Sequence, residues 1–234
     1  MGENVGFLRK LYRKLLYSDL DKVYKSFFSA EQKPKNRMKF LDVGAGFGFE
    51  VIKRGREGYF SVGLEFLQER AVKTLGEFRK RNANGFVIVG DAQDLPFREG
   101  VFDLINCNHV IEHVPEDSRT LGELSRVLNK KGKLLLAVPN VKNLYTAFRS
   151  FLGLKNRFTD STHLREYEEN ELRRLIETAG FKIEDLKRVG FNPPIGLKVE
   201  LLLAHYMPID KALNSFVRIF PKRAAEFRVK AGHR

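Results

Sequence analysis

The chain has 234 residues, 43% hydrophobic and 30% charged, which excludes a disordered polymer and suffices for one large domain with a real core. A single cysteine, Cys107, excludes an intramolecular disulfide framework and fits a reducing, cytoplasmic setting; no apolar run approaches the roughly 18–20 residues of a membrane span. The net charge of +13 is uneven: residues 1–40 and 211–234 carry +6 each and the stretch between them only +1, so the charge marks the two ends of a nearly neutral core.

The start, MGENVGFLRK, has no secretory signal pattern. Residues 5–28 predict one amphipathic helix: Phe7, Leu8, Leu11, Tyr12, Leu15, Leu16, Leu20, Val23, Tyr24, Phe27 and Phe28 recur at helical spacing, with Arg9, Lys10, Arg13 and Lys14 largely opposite. A polar stretch around Pro34 closes this segment, so residues 1–37 are expected to be a helix and linker, and 38–234 the main domain. From Met38 short apolar runs alternate with helical stretches. MKFLDV, YFSVGLE, GFVIVGD, VFDLINCN and KGKLLLAVPN read as strands, with helices near 47–57, 67–82 and 116–129. That alternation predicts an α/β, doubly wound parallel sheet.

Residues 140–163 read as a loop-rich connection, Glu168 to Ala179 as a helix closed by Gly180, and Phe181 to Val189 as a strand. Residues 195–223 look helical, with breaks at Pro208 and Pro221. The last segment, Glu226 to Ala231, alternates apolar and polar residues as an edge strand would. The aromatic and aliphatic residues of 140–163 and 190–223 suit a lid over an apolar or partly apolar acceptor.

Chemistry concentrates at the carboxyl ends of the first four strands. The first ends in Asp42-Val43-Gly44-Ala45-Gly46-Phe47-Gly48, glycines placed where a backbone can approach a ligand in front of a helix N-terminus. Asp42 can reach a cationic group. Glu65 closes the second strand, where a carboxylate can accept both hydroxyls of a ribose, and Asp91 follows the third, in VGDAQDLPF, in reach of a base edge. A nicotinamide dinucleotide fits less well: the spacing is G-x-G-x-G rather than G-x-G-x-x-G, and Asp42 would face the pyrophosphate.

DVGAGFG, Glu65, GDAQDLPF and FDLINCNHVIEHV together resemble the class I S-adenosylmethionine-dependent methyltransferases, of the type 11 and ubiquinone-biosynthesis O-methyltransferase kind, over roughly residues 38–190 and the final strand. The resemblance implies a Rossmann-like seven-stranded sheet with S-adenosylmethionine as cofactor. Asp42 and the Gly44, Ala45, Gly46, Gly48 loop would hold its methionine part. Glu65, with Phe66 beside it, would bind the ribose, Asp91 with Ala92 the adenine, and Asn108 would line the methyl-bearing side. Candidate bases for an oxygen or nitrogen acceptor are His113, His163 and His109.

The ubiquinone-biosynthesis O-methyltransferases and the small-RNA 3′-end methyltransferases, which this segment also resembles, carry Glu-x-x-Glu-His there and bind a divalent metal. Here His109 replaces the first Glu, leaving His109, Glu112, His113 and His163 as a candidate but not favoured metal set. Cys107 reads as core, and Asn192-Pro193-Pro194 as a turn, since it follows the sixth strand rather than the fourth. The expected acceptor is a small or lipid- or sugar-linked molecule. Alternatives are RNA docked on the basic ends, with peripheral membrane contact through 5–28 as a further role, and a non-catalytic cofactor-binding partner protein.

Overall fold

The computed structural model describes residues 38–154, 158, 160–190 and 219–234. The helix expected over 5–28, the Asn192–Pro194 turn and most of the 190–223 lid lie outside the described residues.

Each apolar run forms the strand its composition favours. β1 (Lys39–Val43) leads through the glycine loop into α1 (Phe49–Arg56); β2 (Phe60–Glu65) into α2 (Gln68–Lys80); and β3 (Gly85–Val89) by a loop into β4 (Phe102–Asn108). α3 (Asp117–Val127) precedes β5 (Leu128–Pro139). Then come α4 (Leu144–Phe151), α5 (Glu169–Thr178), β6 (Phe181–Val189), a 3-10 turn at Pro221–Arg223 and β7 (Glu226–His233).

The strands form one seven-stranded sheet in the order β3-β2-β1-β4-β5-β7-β6. Neighbours from β3 to β5 are parallel, with Leu41 level with Val62 and Ile105, and Cys107 level with Leu136. The central strands are apolar on both faces because helices cover both. Phe40, Leu41, Leu104, Ile105, Leu134 and Val138 are wholly inaccessible, each worth about 1.5–3 kcal/mol of burial. α3 supplies one stripe of that cover, with Thr120, Leu121, Leu124 and Val127 buried.

The described residues fall into two compact units. One comprises residues within 38–138, 169–186 and 228–234 and contains most of the sheet; the other comprises residues within 139–168 and 187–227. In the second unit Asn140 is a hub. Its Nδ2 donates to the carbonyls of Ala224 (2.8 Å) and Lys222 (3.2 Å), and its Oδ1 accepts from Lys142 N (2.9 Å). Asn143 caps α4 by accepting from Thr146 N at 3.1 Å.

Two expectations are corrected. Residues 140–163 are not simply loop, because α4 occupies Leu144–Phe151 behind its Asn143 cap. The last strand is not at an edge: β7 lies between β5 and β6, and β6 is the outer strand. The alternation of Phe227, Val229 and Ala231 with polar residues suggested one wet face, yet Glu226 and Arg228 are buried as well.

Candidate functional site

The reversal of strand order between β1 and β4 opens a crevice at the carboxyl ends of the strands, where folds of this kind take ligands. At its floor the chain turns through Gly44, Gly46 and Gly48, with φ of 70°, 53° and 76°. A side chain at Gly44 would put its Cβ 2.6 Å from Val110 Cγ2, and one at Gly48 would overlap Thr74 Cγ2. Gly46 differs: the nearest atom to an added Cβ is Gly44 O, at 3.8 Å. The loop is thus packed from behind at two glycines and has room at the third, a cradle open to a ligand.

Glu65 and Thr74 hold that third glycine. The buried Glu65 carboxylate accepts from Gly46 N through Oε2 (2.8 Å) and from Leu67 N through Oε1 (3.1 Å). Thr74 Oγ1, from α2, donates to Gly46 O at 2.8 Å. Both sides of the Gly46 peptide are therefore tied down. Each Glu65 oxygen has accepted one bond and retains a second lone-pair direction, which suits a pair of vicinal hydroxyls.

Asp42, at the end of β1, is 4% exposed and accepts from Asn106 Nδ2 of β4 at 2.6 Å. Burial pushes its carboxyl up to about 7, a rise that Asn106 opposes and Glu50 reinforces. Such a group gains by meeting a cation. Asp91 is half-buried and held by Gln93, whose N donates to Oδ1 at 2.9 Å while its side-chain amide reaches both oxygens. Ala92 is buried, and Phe66 presents its ring to solvent at 70% exposure.

β4 ends in Asn108, whose buried Oδ1 has no hydrogen-bond partner among the described residues. His109 follows with φ 53°, a strained conformation for a non-glycine residue. Its N donates to Ala137 O at 3.0 Å, and its Nδ1 lies 2.9 Å from Glu112 Oε1. Glu112 is wholly buried and its Oε2 has no hydrogen-bond partner among the described residues. A carboxylate at that distance accepts from Nδ1–H, which leaves the basic lone pair of the imidazole on Nε2. His113 is exposed, in the same unit. His163 belongs to the second unit and pairs there with Glu166, Nδ1 to Oε1 3.0 Å, its side chain 8% exposed. Cys107 is buried, and burial holds its thiol well above the usual range, as a core residue requires.

The first unit thus brings together Asp42, the glycine loop, Glu65, Asp91, Ala92, Asn108, His109, Glu112 and His113. Thr74, Asn106 and Gln93, which position this set, escaped sequence reasoning. Only the G-D-x-Q spacing, which places an amide two residues past Asp91, was a usable signal. An open cradle at Gly46, a carboxylate poised for hydroxyls, a buried carboxyl awaiting a cation and an orphaned amide oxygen together fit a ligand bearing ribose and cationic groups.

Residues 41–136 match a family model described as a methyltransferase domain. An uncharacterized protein of Methanocaldococcus jannaschii is 27% identical over 214 residues, 88% of this chain and 86% of that protein. The uncharacterized methyltransferase YcgJ of Bacillus subtilis is 26% identical over 169 residues, 71% of this chain and 64% of its own length. A demethylmenaquinone methyltransferase of Thermotoga maritima is 34% identical over 121 residues, 50% of this chain and 51% of the relative. The match therefore spans just under two thirds of the Bacillus protein and about half of the Thermotoga enzyme. Magnesium protoporphyrin IX methyltransferase from Synechocystis, solved with bound S-adenosylhomocysteine, shares the fold: TM-score 0.67, 15% identity, covering 97% of this chain and 88% of that one.

Proposed function

We propose that the chain is an S-adenosylmethionine-dependent methyltransferase, a reading supported by the methyltransferase-domain match over residues 41–136, and that it methylates an oxygen or nitrogen of a small, largely apolar or lipid- or sugar-linked acceptor. The observation that carries the cofactor reading is the Glu65 clamp on Gly46, a buried carboxylate that both shapes the glycine loop and faces the space in front of it. In this reading Glu65 receives the ribose hydroxyls, Asp42 the cationic methionine end, and Asp91 with Ala92 the adenine, while Phe66 covers the ring. Asn108 lines the methyl-bearing side with its unused oxygen.

When bound, the cofactor supplies an activated methyl group, so the protein's tasks are positioning, exclusion of water and removal of one proton. Of the three candidate bases, His109 has the most direct support in the first unit. Glu112 fixes its Nδ1–H, and its strained backbone sits one residue past the end of β4. Nε2 would take the proton of the acceptor's oxygen or nitrogen as that atom receives the methyl group, with the neutral thioether as leaving group, and Glu112 would offset the charge gained by the ring. His163 has an equivalent arrangement with Glu166 in the second unit and is the alternative base. A quinol belongs in the acceptor panel because the Thermotoga relative is a demethylmenaquinone methyltransferase, and methylation of a ring carbon there would overturn the oxygen-or-nitrogen reading.

No helix among the described residues is long and apolar enough to cross a membrane.

Calorimetric titration with S-adenosylhomocysteine, followed by a release assay for that product over a panel of acceptors, tests the reading. Micromolar binding that Glu65→Ala weakens strongly is expected. Failure of well-folded protein to bind cofactor at all overturns it. Glu112→Gln is expected to lower kcat while leaving cofactor affinity unchanged.

A further inference from the structure

A second concavity lies in the same unit, along α1. It is a cleft of about 380 Å³ lined by Phe49, Ile52, Lys53, Arg56 and Glu57 of α1 and its C-terminal cap, and by Arg81, which caps α2. Phe49, Ile52, Lys53 and Arg56 share one helical face, three, four and seven residues apart, so the lining runs about 10 Å along α1 from beside the glycine loop to the helix's far end.

Its chemistry is the reverse of the cofactor crevice. Three cations line it against one carboxylate, and Glu57 Oε2 is engaged by the buried Arg54 at 2.7 Å. Arg56 is exposed and has no ion-pair partner among the described residues. Lys53 lies 3.8 Å from Glu50, and Arg81 lies 3.3 Å from Glu77, which also meets Lys80 at 3.1 Å. Solvent-facing pairs of this kind hold their cations weakly and yield them to a doubly charged anion. Phe49 stands at 68% exposure at one end of the row, with Phe47 6.4 Å away. An aromatic face next to a set of cations is how proteins hold one unit of a nucleotide, base on ring and phosphate on guanidinium. The cofactor has no phosphate, and the carboxylates that would receive it, Asp42, Glu65 and Asp91, would repel one.

We propose that this cleft is a nucleotide-binding site, with Phe49 stacking the base and Lys53, Arg56 and Arg81 holding the phosphate. Its occupant is a phosphorylated nucleotide unit, either free or nucleotide-linked, or a residue of single-stranded RNA; both present the same base and phosphate. The site is independent of which acceptor is methylated.

The test is calorimetric or polarization titration of the full chain with adenosine monophosphate, inorganic phosphate and a short single-stranded RNA, over a salt series. The nucleotide is expected to saturate the protein and to bind more tightly than phosphate. The pair Arg56→Glu and Arg81→Glu, with Arg56→Gln and Arg81→Gln as the milder pair, should weaken it about tenfold or more. S-adenosylhomocysteine affinity should stay unchanged, and the glutamine pair should unfold close to the wild type. Phe49→Ala should weaken nucleotide about tenfold and leave phosphate alone. RNA binding much tighter than the mononucleotide, with a steep salt slope, identifies RNA as the source; equal affinity with a shallow slope identifies a free or linked nucleotide. The proposal is overturned by the absence of saturable nucleotide or RNA binding, by binding that the charge reversals leave intact, or by phosphate binding as well as nucleotide with Phe49→Ala silent.

Discussion

Replacing Asp42 by asparagine keeps the side chain's shape and the oxygen that Asn106 donates to, and removes only the ionisation. Burial has pushed the carboxyl to about 7 from an ordinary 3.8. Between those values the native chain retains a proton that the unfolded chain has released. The stability associated with neutral Asp42 is therefore intact below about pH 3.8, erodes as pH rises, and is lost above about 7. The interval is about three pH units, at roughly 1.4 kcal/mol each, so the carboxylate costs the cofactor-free protein up to about 4 kcal/mol at mildly alkaline pH. Urea denaturation of wild type and Asp42→Asn across a pH series reads this directly, since every other titrating group is common to both. The two stabilities should coincide near pH 4 and separate steadily, with the variant the more stable at about pH 8. A difference that does not change with pH, or a variant less stable at pH 8, refutes the reasoning. If Asp42 receives the cationic end of the cofactor as proposed, cofactor affinity should move the other way and fall in the variant.

Further outcomes follow from the glycine cradle. Thr74→Val removes the donor to Gly46 O while keeping the methyl that packs on Gly48; it should cost about 1 kcal/mol in thermal or urea unfolding and weaken cofactor binding several-fold in calorimetry. Gly48→Ala places a Cβ into Thr74 Cγ2 at φ 76° and should destabilise by about 2 kcal/mol or more, whereas adding Thr74→Ser, which removes that methyl, should recover part of the loss in a double-mutant cycle. Glu65→Gln keeps an acceptor for one backbone N–H and sets an amide against the other, so cofactor affinity should drop at least tenfold with a smaller loss of stability.

The fold was legible because its signals are local. Strand-forming runs, helix periodicity and a glycine turn announce themselves over a few residues, and β1 through β5 fell where the alternation put them. The acidic residues at the strand ends were legible for the same reason, each following an apolar run. What the sequence hid are contacts made across chain distance. Thr74 is 28 residues from Gly46 and Asn106 is 64 from Asp42, and nothing near either residue marks it as a partner. β7 was misjudged because alternation reports the polarity of a strand's side chains, whereas its place in a sheet depends on which strands arrive on either side. Glu226 and Arg228 look like residues for solvent and are buried in a strand flanked on both sides, second from the edge.

The position of β7 also bears on the order in which the molecule can assemble. β6 leaves the ribosome with no strand to join, because 36 residues lie between Val189 and the start of the strand that separates it from β5. Until then both β5 and β6 present unpaired backbone, the state in which neighbouring chains most readily add to a sheet. Lys182, Glu184, Asp185, Lys187 and Arg188 make the waiting strand a poor template for such addition, and β6 keeps these charges at the finished edge. Closing the sheet therefore needs β7 to enter between two strands that precede it in the chain, the kind of non-local pairing that topology makes slow.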